Sequence, residues 1–417
     1  MTASTLGRRA RQLVLGASIA ALAAVAASAA SADTIKIGLL APLTGPAAAD
    51  GQEFQRGAQL AIDEINAAGG FNGDTFELTV GDVKDQSAGA VTSAVERLLG
   101  DQDVHFMATG YASLTNFEIE NMAEAEMPYI LSANSQQTKD IVAPEPDKYG
   151  CCWSLTPSFD AYNTDVTSFV EKLASDGKIQ LPTRKVAIIS SDNAYSKTIS
   201  EGMKKTFTEK GWTITVDELV PFGEVTDWRA ILAKVRENVP DVVINTDYLP
   251  GNSASFLNQF LEQPTKSLVF LQYAPSVPEF VELTKANSNG VIYDLLGGPL
   301  TTPKNPRAAE VADKYKAKYG VESGTYGVAL YETVYLYLDA LKKAGDYKDH
   351  QAVMKALGET DKQIAAGRLK FDPATHLATQ GDEFIPITFF QIWDGKRDLI
   401  SPAQYATGEF KPQPWMQ

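Results

Sequence analysis

Cysteine and histidine are scarce in this chain of 417 residues, which holds two of the first and three of the second. Two adjacent cysteines, Cys151 and Cys152, make no disulfide scaffold, and no histidine stands near them to suggest a zinc site. The pair could bond to each other in an oxidising compartment. Neighbouring Cα atoms lie about 3.8 Å apart, below the span of about 4.4 to 6.8 Å usual in disulfides, so two small buried thiols are the alternative. His105, His350 and His376 are distant in sequence and fall in unrelated elements, which argues against a histidine triad or a metal cluster. The Gly-x-Ser-x-Gly nucleophile elbow and the Gly-x-x-x-x-Gly-Lys phosphate loop are both missing. Basic excess is missing too: the net charge is −15, with no basic cluster to offset it, so nucleic acid and anionic lipid are repelled. Beyond the first thirty residues no apolar run approaches the roughly 20 residues that cross a bilayer. An enzyme built on common motifs, a metal site, a bound cofactor and a nucleic-acid partner are therefore not expected.

What the chain does have begins at its start. Arg8, Arg9 and Arg11 precede an apolar run from Leu13 to Ala27, and Ala30-Ser31-Ala32 offers a small-x-small cleavage site. This is the pattern of a secretory signal peptide over residues 1–32, with a mature chain starting near Asp33 in the periplasm. The remainder is too long for one ordinary core and implies two domains. Short β runs alternate with amphipathic helices. Ile35 to Leu40 reads as a buried strand; Glu53 to Asn66 reads as a helix with Phe54, Ala58, Ala61, Ile62 and Ile65 on one stripe, stopped by Gly69-Gly70. Strand Val104 to Ala108, helix Thr115 to Ala125 and strand Tyr129 to Leu131 follow. After Trp153, itself expected in the core, the rhythm restarts and runs to a strand at Val291 to Leu295. A helical block spans Arg307 to Leu357, and a late strand runs from Ile385 to Trp393. Such alternation predicts α/β architecture with parallel sheets covered on both faces, and ligands at the carboxyl ends of the strands.

Several stretches together resemble one family. Ile37-Gly-Leu-Leu-Ala-Pro-Leu-Thr-Gly-Pro46, Gly57-Ala-Gln-Leu-Ala-Ile-Asp-Glu-Ile-Asn-Ala-Ala-Gly-Gly70, Asp192-Asn-Ala-Tyr-Ser196, Thr226-Asp-Trp228, Pro240-Asp-Val-Val243 and Tyr326 to Ala340 are similar to type I periplasmic solute-binding proteins of ABC importers, in the leucine/isoleucine/valine-binding branch. The resemblance implies two doubly wound Rossmann-like lobes joined by three crossovers. Lobe I would comprise residues 33–155 and 297–383, and lobe II residues 156–296 and 384–417. It implies a monomer that captures an amino acid or similar small polar metabolite by hinged closure and presents it to permease subunits. A secreted sensor docking on a membrane receptor, or a binder of a short amide, urea or aromatic carboxylate, are the alternatives.

The resemblance also nominates site residues. Ser113 and Thr115, in the loop after a strand, could hold a carboxylate or cap a helix. Ala133 and Ser135 fall where the family grips the ligand's charged head. Tyr195 matches an aromatic that folds over the ligand. Where the branch carries an acid for the ligand's ammonium, this chain has Tyr273 or its neighbours. Asp247 could supply that charge from the adjacent strand, since a buried ammonium needs an ionic partner. Asp50 replaces an aromatic common in the family, so Asp50 and Asp247 together point towards an ammonium-bearing ligand, although Asp50 could equally cap a helix beginning near Gln52.

Overall fold

The computed structural model describes residues 33–417, so the export segment lies outside the described residues. Strands β1 (Thr34–Ala41), β2 (Thr75–Asp82), β3 (Val104–Thr109), β4 (Tyr129–Leu131) and β5 (Cys152–Ser154) alternate with helices α1 (Ala48–Ala67), α2 (Ala88–Leu99), α3 (Glu118–Glu124) and α4 (Ser135–Val142). The chain then crosses to α5 (Asp160–Ser175), β6 (Lys185–Ser191), α6 (Ala194–Glu209), β7 (Thr213–Val220), α7 (Arg229–Asn238), β8 (Val242–Asn245), α8 (Pro250–Glu262), β9 (Leu268–Leu271), α9 (Pro278–Thr284) and β10 (Ile292–Leu296). It returns for α10 (Pro306–Tyr319), α11 (Thr325–Ala344), α12 (His350–Gly358) and the hairpin β11 (Asp361–Ile364) and β12 (Gly367–Lys370). A third crossing delivers β13 (Ile387–Trp393) and β14 (Lys396–Ser401).

Two large sheets result. The first has the order β2-β1-β3-β4-β5, parallel throughout. The second has the order β14-β13-β10-β9-β8-β6-β7, with β13 and β14 antiparallel. The period-2 alternation of a strand sends side chains to both faces. In β1, Ile35, Ile37 and Leu39 pack towards α1 and α11, while Leu40 joins Val91, Val95 and Met122 on the other face. In β6, Ile189 faces the core that holds Phe256 and Leu257, and Val186 and Ile188 face Val166 and Met203. Lobe I here means the first sheet with its helices, α10 to α12 included; lobe II means the second sheet with its own.

The expected apolar stripe of the first helix is buried, but the helix begins earlier, at Ala48. Asp50 therefore stands inside its first turn rather than in front of it. α3 begins three residues after the expected Thr115, because Asn116 takes a left-handed φ of 55° that no helix continues through. Trp153 is buried, stacked on His376 with ring centres 4.0 Å apart. Cys151 and Cys152 are bonded to each other, which settles the open choice for the bridge. His105 on β3 and His350 on α12, distant in sequence, meet with Nδ1 and Nε2 3.1 Å apart, a pair with no third ligand or triad partner among the described residues. They lie together because α12 returns to the first lobe after the long excursion. Among the described residues no group of three possible metal ligands gathers, and no helix is long and apolar enough to cross a membrane.

Candidate functional site between the lobes

The carboxyl ends of both sheets face one another, and their loops enclose about 660 Å³ of space free of protein atoms, mouth included. Lobe I contributes Gln86 after β2, Tyr111 and Leu114 after β3, and Ser132, Ala133 and Asn134 after β4. From α11 it adds Thr325, Tyr326 and Ala329. Lobe II contributes Phe159 and Tyr162 at α5, Tyr195 after β6, Tyr248 after β8, Tyr273 after β9, and Leu295 and Leu296 on β10. Thr156 and Gly297, on two of the crossovers, form the back wall. Among the described residues, no Asp, Glu, Lys or Arg side chain lines the space.

The rings meet edge to face. Tyr111 stands 6.0 Å from Tyr248 at 71°, Tyr195 stands 5.8 Å from Tyr248 at 84°, and Tyr111 stands 5.4 Å from Tyr326 at 72°. Near-perpendicular rings make the walls of a box, with each positive edge on a negative face. Tyr273 reaches its place through a tight turn: its φ is 56° and ψ −53°, and Ala274 N–H donates to the Gln272 carbonyl at 2.6 Å. This is the γ-turn geometry that is rare and strained for an L-residue, of the kind that collects at ligand clamps.

Asp50 lies directly behind this wall. It is 2 % exposed, and it accepts from Tyr111 Oη at 2.6 Å and Tyr273 Oη at 2.9 Å. Tyr111 belongs to lobe I and Tyr273 to lobe II, so one carboxyl holds both halves. Burial pushes Asp50 up to about 7, although the two hydroxyls pull the other way. One turn on, Glu53 accepts from the backbone N–H of Gly324 and Gly327; burial, and then the nearby Asp50, push it up to about 8. A second interlobe bond runs from Gln86 Nε2 to Tyr248 Oη at 3.1 Å. The lobes are thus closed on each other.

The structure brings Ala133, Tyr195 and Tyr273 onto the wall of the cavity, with Asp50 directly behind Tyr273. It does not bring the others there. The Ser113 hydroxyl turns inward and donates to buried Glu118 at 2.5 Å. Thr115 N–H donates back to Ser113 Oγ at 3.4 Å, so the pair stiffens its loop. Ser135 is buried at the start of α4 with no partner for its hydroxyl, off the wall. Asp247 accepts from Leu249 N–H at 3.0 Å and Asn252 Nδ2 at 2.8 Å, ordering the start of α8. Its burial pushes it up to about 6. Sequence reasoning passed over Tyr111, Tyr162, Phe159 and Gln86. For Tyr111, Gln86 and Phe159 the signal was an aromatic or amide shortly after a strand's carboxyl end; Tyr162 lies instead in the first turn of α5. Sequence reasoning also passed over Asp294 on β10, fully buried beside the Gln272 amide, its carboxyl pushed well up by burial.

Two covered α/β lobes on three crossovers, closed over a shared cavity, define a clamp for a small solute. The chain belongs to the periplasmic binding protein family, whose pattern matches residues 34–395. It is similar to a protein from Silicibacter pomeroyi assigned to branched-chain amino acid ABC transport: 31 % identical, TM-score 0.81, covering 92 % of this chain and 100 % of that one. It is 28 % identical to Leu/Ile/Val-binding protein homolog 8 of Brucella abortus (strain 2308), over 97 % of this chain and 99 % of that protein. The fold, at 23 % identity and a TM-score of 0.73, matches the branched-chain amino acid binding protein LivJ of Streptococcus pneumoniae in complex with isoleucine, over 89 % of this chain and 100 % of that one.

Proposed function

We propose that this chain is the extracytoplasmic capture component of an ABC importer, taking up an amino acid or a similar small polar metabolite. The observation that carries the reading is the interlobe cavity: both lobes wall it, and the bonds Tyr273–Asp50 and Gln86–Tyr248 fasten one to the other across it. A site split between two bodies fills only when they swing together, and hinge closure of this kind is how periplasmic binding proteins trap a ligand. The wall offers hydroxyl, amide and main-chain groups with aromatic surface, suited to orienting a small molecule. The closed molecule, acting as a monomer in the periplasm, presents one face made of both lobes to the permease subunits.

Calorimetric titration of residues 33–417 with the common amino acids and short amides tests the reading, alongside uptake by cells lacking the gene. Saturable binding with the guest recovered unaltered, and uptake lost in the deletion, are expected. Turnover of the guest, or full uptake without the gene, would count against it.

A further inference from the structure

The two faces of the cavity differ in their free polar groups, although Tyr111 and Tyr326 of lobe I add rings to the wall. On the lobe I side, Ser132 Oγ, Thr325 Oγ1 and Gln86 Oε1 are buried and unpartnered. Beside them run the main chain of residues 132–134 and the amino end of α4, where an anion is favoured. Ser132 is 6 % exposed, so its free hydroxyl is aimed into an enclosed space.

On the lobe II side, Phe159, Tyr162, Tyr195, Tyr248 and Tyr273 present rings, with Leu295 and Leu296 between them. All four tyrosine hydroxyls are already engaged. Tyr162 accepts from Leu296 N–H at 3.0 Å, Tyr195 from Gln272 Nε2 at 3.2 Å and Tyr248 from Gln86 Nε2 at 3.1 Å, while Tyr273 donates to Asp50 at 2.9 Å. A primary ammonium carries three donors that each need an acceptor. The acceptors these tyrosines offer are the lone pairs left on hydroxyls that already serve Leu296 N–H, Gln272 Nε2, Gln86 Nε2 or Asp50. This side also has ring faces, and ring faces attract a cation without hydrogen bonds.

Two carboxyl groups lie behind the rings. Asp50 sits behind Tyr111 and Tyr273. Asp294, one residue before Leu295, is fully buried behind Tyr162 and Tyr195, beside the Gln272 amide. Tyrosines that donate to a carboxylate have more electron-rich rings. A guest that brings a positive charge therefore favours the ionised form of Asp50, the carboxyl that Tyr111 and Tyr273 both hold.

Resting on the capture reading above, we infer that the cavity selects a small zwitterion whose cationic end is an alkylated ammonium, held by the tyrosine faces of lobe II, with its carboxylate on the Ser132 side of lobe I.

The test is a pair of probes of equal shape. Glycine betaine and its carbon isostere 3,3-dimethylbutanoate differ in one nitrogen and one positive charge. Calorimetric titration at pH 8 should give betaine an affinity at least about thirty-fold above the isostere, a factor in the range expected of desolvated cation–π contacts. Tyr248→Leu should weaken betaine at least about ten-fold more than it weakens the isostere, whose loss reports the broken Gln86–Tyr248 bond alone. Tyr248→Phe, which keeps the ring, should stay within about five-fold of the natural chain for betaine. Choline, lacking the carboxylate, should bind more weakly than betaine. Equal affinities for the two isosteres, a tighter isostere, or no betaine binding by a folded protein would overturn the inference. Tight binding of L-leucine without betaine would do so too, yet leave the capture function standing. Turnover of any guest would instead overturn the capture reading itself.

Discussion

Asp50 shows how far a residue can be understood from its neighbours alone. The sequence marks it as a departure, an acid where an aromatic is usual, and offers helix capping as the bland alternative. The fold sets the cap aside and puts it behind the cavity wall: it faces two tyrosine hydroxyls from opposite lobes, with Glu53 on its own helix, Glu279 on α9, and Tyr248 and Tyr326 nearby. Its proton is held to about pH 7 in the folded protein but released near 4 when unfolded. The folded state thus binds more protons in that window, and the stability it confers is lost as pH rises from about 4 to about 7. Glu53 extends the same loss towards pH 8. Melting curves between pH 4 and 9 should fall across this range, and Asp50→Asn should flatten the first part, with a difference on the order of 2 kcal/mol at pH 8. For a cationic guest the sign reverses, because the guest favours ionised Asp50. Betaine affinity should rise between pH 5 and 8 and lose most of that rise in Asp50→Asn. Ser113, Thr115 and Asp247 illustrate the opposite lesson. Their loops follow strands, as a site requires, yet a nearby Glu118 or Asn252 claims their side chains. Side-chain direction within a loop depends on partners distant in sequence, and no local pattern reveals it.

At the scale of elements, what periodicity controls was legible. Tyr129–Leu131 is a strand as expected, and the buried stripe of α1 holds Phe54, Ala58, Ala61, Ile62 and Ile65. The weak points were short strands such as β5, β11 and β12, whose three or four residues carry too little alternation to read. The return of α12 to β3, and with it the His105–His350 contact, is a matter of topology. Close helix packing is one place where an element depends on a single small residue. α1 crosses α11 at Gly57, where a Cβ would lie 2.0 Å from the Gly327 carbonyl oxygen. Gly57→Ala forces the helices apart and should cost about 1–3 kcal/mol of stability in urea unfolding. Gly297 on a crossover has φ 79°, with Thr156 Oγ1 3.1 Å from where a Cβ would stand. Gly297→Ala should destabilise by roughly 1–2 kcal/mol, the usual penalty for a side chain in left-handed backbone.

For the whole molecule, the duplicated rhythm announced two lobes and the resemblance supplied their three connections; what neither conveyed was the closed arrangement. Closure rests on few groups. Tyr248→Phe removes the Gln86–Tyr248 bond and should weaken ligand binding by about five-fold, since a single neutral hydrogen bond contributes about 1 kcal/mol. Unfolding in the absence of ligand should change much less, because that bond forms only between the lobes and not within either. The most direct test of the clamp is X-ray scattering from residues 33–417 before and after saturation with a guest found by titration. The account predicts a radius of gyration that falls on saturation and recovers when the guest is dialysed away. An identical radius in both states, with the guest demonstrably bound, would contradict it.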